Sequence, residues 1–149
     1  VSASGVELRY AGTTKLTTLS TGVQVSGIMS ATTVSNSTRT FGAGEALSPY
    51  LLVKVEADGD VVKCGGAADQ PVVGLTTTSA ANNEATTISL VNGGGTAYAT
   101  ANEAIAAGDL VFTAADGKIT SSVTTHTKVG VALETSAADG DVIEISFFQ

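Results

Sequence analysis

Apolar and polar residues alternate along this chain in short runs, and small or turn-forming residues separate the runs. That spacing, two residues per repeat, is the mark of strands with one buried face. Leu51 to Glu56 and Leu110 to Ala114 are apolar runs, and each leads into an Asp-Gly pair. Asp-Gly suits the φ > 0 positions of a tight hairpin, so returning strands are expected over Asp60 to Cys64 and Lys118 to Ser122. Thr and Val favour strands, whereas Gly, Asn-Asn and Asp-Gly mark turns. The sole helical signal is ANEAIAAG, Ala101 to Gly108, which predicts a turn or two of helix before its Gly stop.

The runs are not independent. Glu45-Ala46-Leu47 recurs as Glu103-Ala104-Ile105, Leu52-Val53 as Leu110-Val111, and Ala57-Asp58-Gly59 as Ala115-Asp116-Gly117, always 58 positions apart. Further on, Val73-Gly74-Leu75 matches Val129-Gly130-Val131 and Ser79-Ala80-Ala81 matches Ser136-Ala137-Ala138, with slips of one or two residues. Thr87-Ile88-Ser89-Leu90 then aligns with Val142-Ile143-Glu144-Ile145. Ordered self-similarity of this kind marks a duplicated supersecondary unit. The expected fold is mainly β, a small β-barrel or sandwich built from two similar β-meander repeats, at about 44–91 and 102–146 within a domain spanning 41–149.

Residues 1–40 read differently, as an extended N-terminal β arm and linker rich in Ser, Thr and Gly. Val6, Leu8 and Tyr10 alternate, Val23 and Val25 form another short strand, and Ser30 to Thr40 is almost wholly polar. A short ribbon is marginal in water by itself, so this arm is expected to need another surface. The numbered chain starts at Val1 and its only Met is Met29, which leads one to expect a removed initiator or a cut leader.

Composition narrows the function classes. With 149 residues there is room for one domain, or two very small ones. Charged residues are only 14%, too few for a coiled coil or for charge-driven disorder. No run approaches the roughly 18 apolar residues of a membrane span. Seven Lys and Arg against a net charge of −7 cannot form a stripe that tracks phosphates, so no nucleic-acid partner is expected.

Candidate chemistry is sparse. His126 is the only His and has no Cys or acid at ligand or triad spacing, so it reads as a solvated loop residue. Cys64 is the only Cys; it could be a reactive thiol, but at the end of a strand it reads better as a small buried hydrophobe. Gly93 to Gly95 lacks the Lys-Ser/Thr of a phosphate loop. Asp58 to Asp60 and Asp139 to Asp141 lack the spaced acids and closing Glu of a calcium loop. Asn36-Ser37-Thr38 fits the glycosylation sequon yet reads as a polar loop. No catalytic, cofactor-binding or metal-binding residue is expected, and the chain reads as structural rather than as an enzyme.

The repeated part, from about Gly42 onward, resembles the bacteriophage head decoration proteins, also called capsid cement proteins. AGDLVFTAADGKI and VGVALETSAADGDVIEIS carry the resemblance, joined by AGEALSPYLLVKVEADGDVV and PVVGLTTTSAANNE. The front end resembles a segment of phage tail-fibre and appendage proteins, through Glu7-Leu8, Tyr10, Lys15-Leu16, Thr21-Gly22-Val23, Val25 and Gly27. The first resemblance implies a virion protein on the outer surface of the capsid that bridges and stabilises capsid subunits. Its implied partners are the major capsid protein and itself, as a homotrimer, with no cofactor and no membrane. The arm would be the clasp, adding a strand to a neighbour's edge through Val6, Leu8, Tyr10, Leu16 and Leu19. The second resemblance implies an alternative, a tail-fibre or appendage module that binds a host surface.

Overall fold

The computed structural model describes residues 7–10, 13–19, 22–25, 38–66, 71–93, 95–123 and 127–148. The chain divides into two compact units, within residues 1–34 and 35–149. In the first unit, β1 (Glu7–Tyr10), β2 (Thr13–Leu19) and β3 (Gly22–Val25) form an antiparallel sheet in that order. Its register slips between Leu8 and Arg9, a bulge that twists the edge strand.

The second unit is built from two five-stranded antiparallel sheets. The first contains β4 (Thr38–Gly42), β5 (Leu52–Val55), β6 (Val61–Lys63), β7 (Gly74–Thr76) and β8 (Ala85–Leu90). The second contains β9 (Thr96–Thr100), β10 (Leu110–Thr113), β11 (Ile119–Thr120), β12 (Lys128–Ala132) and β13 (Val142–Phe147). Strand order is β4-β8-β7-β5-β6 in one and β9-β13-β12-β10-β11 in the other, so the two copies have one topology. Neither sheet closes into a barrel. A single parallel bridge follows the first strand of each, Ala43 to Val61 and Ala101 to Ile119, and the arrangement is that of a sandwich.

The repeat is longer than its sequence phrases. β4 and β9 occupy the same place in the two sheets, 58 positions apart, so the polar stretch read as linker ends before Thr38. β4 is legible only afterwards, because its residues are mostly exposed and Thr-rich, and its one large apolar side chain, Phe41, lies under the Arg39 guanidinium. The last strands also align differently from the sequence match. Gly74 faces Leu90 and Gly130 faces Phe147, which makes Ile88 the counterpart of Ile145 and Thr86 that of Ile143. Burial agrees, since those four point inward.

Ala101 to Gly108 is not helical. Ala101 bridges to Ile119 and Ile105 to Ser136, so the segment is an irregular connector pinned to the sheet at two points. Tertiary pairing here outweighs a weak helix propensity. The matching segment of the first copy behaves alike, with Leu47 bridged to Ala80. Both connectors end on a left-handed residue, Gly108 at φ 92° and Tyr50 at φ 66°.

Identical turn sequences fold differently in the two copies. At Ala57-Asp58-Gly59 the Gly59 N–H donates to Glu56 O (3.0 Å) and only the glycine has positive φ, as in a type I turn with a bulge. At Ala115-Asp116-Gly117 both Asp116 (φ 57°) and Gly117 (φ 72°) are left-handed, as in a type I′ turn. The difference has a cause. Gly117 is buried against the first copy, its N–H donates to Cys64 O (2.8 Å), and a Cβ there would lie 2.8 Å from Leu52 O.

Two clusters form the core. Ala43, Leu47, Val53, Val61, Ala80 and Ile88 fill the interior of the first copy. The larger cluster fills the second copy with Ile105, Val111, Ile119, Ile143 and Ile145, and it extends into the first copy through Leu52, Cys64 and Leu75. Alternation along β5 explains the division, since Val53 faces its own sheet's interior and Leu52 faces the neighbouring copy.

Candidate interaction surface

The residues expected to make contacts lie in the first unit. Val6 is outside the described residues. Leu8 and Tyr10 lie on β1, Leu16 and Leu19 on β2. The ladder sets Leu8 opposite Leu16 and Leu16 opposite Val25, whereas Tyr10 faces Thr13 and Leu19 faces Gly22. The register thus pairs Leu8 with Leu16, and it pairs Tyr10 and Leu19 with other residues.

The candidate chemical residues resolve into structural roles. His126, Asn36 and Ser37 are outside the described residues. Cys64 is fully buried, and burial pushes its thiol up to about 11, against a smaller opposing pull from Lys54. Asp58 accepts the Asp60 N–H (3.1 Å), which is turn chemistry. Asp141 accepts the N–H groups of Ala137 (2.7 Å) and Ala138 (3.0 Å), and Asp139 pairs with Lys118 at 2.6 Å. Among the described residues no three His, Cys, Asp or Glu side chains are grouped to hold a metal.

Recurrence of Glu-Ala-hydrophobic also has a structural reason. Glu45 Oε1 accepts the Lys63 N–H (2.7 Å), and Glu103 Oε1 accepts the Ser121 N–H (3.0 Å) together with the hydroxyls of Thr120 and Ser121. Each glutamate therefore holds the backbone at the end of the third strand of its copy, at its last residue in the first and one residue beyond it in the second. The Thr120 hydroxyl, helped by Ser121 and Ser122 and opposed by partial burial, keeps the Glu103 carboxyl below its usual range.

Two surfaces of the second unit stand out, and neither was singled out from the sequence. One is the outer face of the second sheet, where Tyr98 (50% exposed), Leu110, Leu133 and Val142 are large apolar groups in contact with solvent. Tyr98 meets Tyr50 edge to face with ring centres 6.0 Å apart, and Glu144 stands beside Tyr98 in the ladder. The other is a cleft of about 540 Å³ in the first copy, lined by Arg39, Phe41, Val55, Gly59, Val73 and Leu90. Its walls are mainly apolar, with one cation at the rim. These arrangements can bind a surface; they contain no nucleophile and base set for turnover.

Comparison with known proteins gives one family and one fold. A family model described as phage cement protein matches residues 53–147. The structure is similar to one titled the crystal structure of head fiber gp8.5 N base in bacteriophage phi29, with a TM-score of 0.61 and 16% sequence identity. That alignment covers 74% of this chain and 92% of the other, and it shows a shared fold. No curated protein matches the chain significantly.

Proposed function

Because the chain belongs to the phage cement protein family, a family of structural phage proteins, we propose that it decorates the outer surface of an assembled capsid and stabilises it by bridging neighbouring capsid subunits. The observation that carries this reading is the extent of the family match, which spans most of both repeats and so most of the second unit. In this role the protein is a homotrimer whose partner is the major capsid protein. No bond is made or broken. Many copies, each contributing modest contact energy, raise the force needed to part adjacent subunits through multivalent attachment.

Electrostatics favour the outside of the shell. A chain of net charge −7 is repelled by packaged DNA, and it has no basic stripe to offset that repulsion. Attachment falls to the arm. In the order β1-β2-β3 the two outer strands each have one side without a partner among the described residues, and such an edge can take a strand from a capsid subunit. Val6, Leu8, Tyr10, Leu16 and Leu19 are the side chains assigned to that contact.

The test is addition of purified protein to capsids that lack it. Saturable binding, with a rise in the temperature at which the capsids open, is expected. Removal of Val1 to Gly27 should abolish binding while leaving the β signature of the second unit. A truncated chain that folds and still saturates capsids would eliminate the clasp. A second reading, a fibre-type appendage that binds a host surface, draws on the N-terminal phrase and on the head-fiber title of the structural neighbour. It requires few copies per virion instead of many.

A further inference from the structure

The two copies of the repeat offer the same two surfaces, yet each copy leaves a different one uncovered. In the first copy the paired Leu52 and Leu75 on the outer face are 0% and 1% exposed, because the second copy sits on them. Their counterparts in the second copy are the paired Leu110 and Val131. Leu110 is 43% exposed, and Tyr98, Leu133 and Val142 add exposed apolar groups to the same face of the sheet.

The elements that do the covering also have counterparts. The second copy meets the first through β9, whose Thr100 N–H donates to Tyr50 O (2.9 Å), and through the turn at Gly117. The matching elements of the first copy are β4 and the turn at Gly59, and these line the open cleft with Arg39, Phe41, Val55 and Leu90. Among the described residues, one end of the second unit is therefore a plug without a socket, and the other a socket without a plug.

We propose that the occupant of each is a second copy of this chain, joined head to tail. The outer face around Leu110 and Val131 of one chain seats in the Phe41–Val55–Leu90 cleft of the next, repeating between chains the junction already made within one. Charge agrees with this pairing. The cleft carries Arg39 where the second copy has Ala97, and the outer face of the second sheet carries Glu144 where the first copy has Thr87. The two surfaces thus carry opposite charges that their counterparts lack. A heterologous contact of this kind closes into a ring or runs on as a fibre, but does not stop at two. The inference rests on the self-association in the proposed function, and not on capsid binding.

The test uses the full chain and its mass in solution, by sedimentation velocity and native mass spectrometry. Wild-type protein is expected to be larger than a dimer. Leu110→Arg, which spoils the plug, and Val55→Glu, which spoils the socket, should each give monomers, with Val131→Lys and Arg39→Glu as second variants for the two surfaces. An equimolar mixture of a plug variant and a socket variant should form a one-to-one heterodimer and nothing larger, since one good plug and one good socket remain. Monomeric wild-type protein would overturn the inference, and so would a mixture that stays monomeric. Socket variants that keep the wild-type mass would also overturn it, whether the cleft is filled by the chain's own N-terminal unit or by nothing. A wild-type dimer that survives Val55→Glu would mean a two-fold contact instead. Capsid binding is not read in this experiment, so its failure would leave the result untouched.

Discussion

Leu52 and Leu110 hold the same place in the two repeats, and their truncation should have very different costs. Leu52 is fully buried where the copies meet, so Leu52→Ala removes buried methyl groups and leaves a cavity. Such changes cost about 2–5 kcal/mol. At ~2–4 °C per kcal/mol for a protein of this size, a loss near the middle of that range lowers the melting temperature by about 7–14 °C. Leu110 keeps 43% of its surface in water. Its truncation should cost about 0.8–1.5 kcal/mol, roughly half of the transfer free energy of one leucine side chain. Both changes belong in an Arg39→Glu background, so that contacts between chains do not mask the difference. Urea unfolding followed by far-ultraviolet circular dichroism measures it. Equal destabilisation of the two variants would refute the claim that the second copy covers the first through this face.

Other outcomes follow from the same geometry. Gly130→Ala would place a Cβ 2.0 Å from Ser146 O in the middle of the second sheet, and should cost about 1–3 kcal/mol or more by thermal melting. Ordinary stability in that variant would contradict the close packing of β12 on β13. Thr76 Oγ1 accepts the Leu51 N–H (2.9 Å) and donates to Ser48 O (2.7 Å), so Thr76→Val strands two polar groups for about 1–3 kcal/mol, read by urea unfolding; a neutral result would mean they find other partners. The Glu103 carboxyl is held below its usual range, so its stabilising effect is present above the unfolded value of about 4.3 and is lost as pH falls through the lower folded value. Wild type should therefore exceed Glu103→Gln in stability at pH 7, and the gap should close in acid; a gap independent of pH would count against the clamp. The Cys64 thiol, buried and pushed up to about 11, should resist a disulfide reagent at pH 8 until denaturant is added, and immediate stoichiometric labelling would show the site to be open.

Much of this fold is visible in the chain. Alternation gave the strands of both copies, and the 58-residue spacing of Glu45, Leu52 and Asp58 to their partners gave the duplication. β4 was hidden because an edge strand with one exposed face carries little apolar signal, and only its place beside β8 reveals it. The helix expected at Ala101 to Gly108 rested on local propensity, which cannot register bridges to Ile119 and Ser136 far along the chain. Nor could the Ala-Asp-Gly turns be told apart, since the choice at Gly117 is made by contact with Leu51 and Leu52. The plug and socket surfaces were illegible for the same reason. Leu52 and Leu110 are the same residue in the same motif, and only packing decides which is covered. Recurrence of Glu45 as Glu103 was plain, but its task of holding a backbone N–H 18 residues on appears only in the folded chain.

Lattice decoration shows itself most directly in the number of copies per virion. Quantitative mass spectrometry of purified particles gives the ratio of this protein to the major capsid protein. Decoration requires a ratio near one, or a fixed simple fraction of it. A count small enough to fit a single tail or its fibres would contradict decoration and leave the duplicated β unit as a module of an appendage.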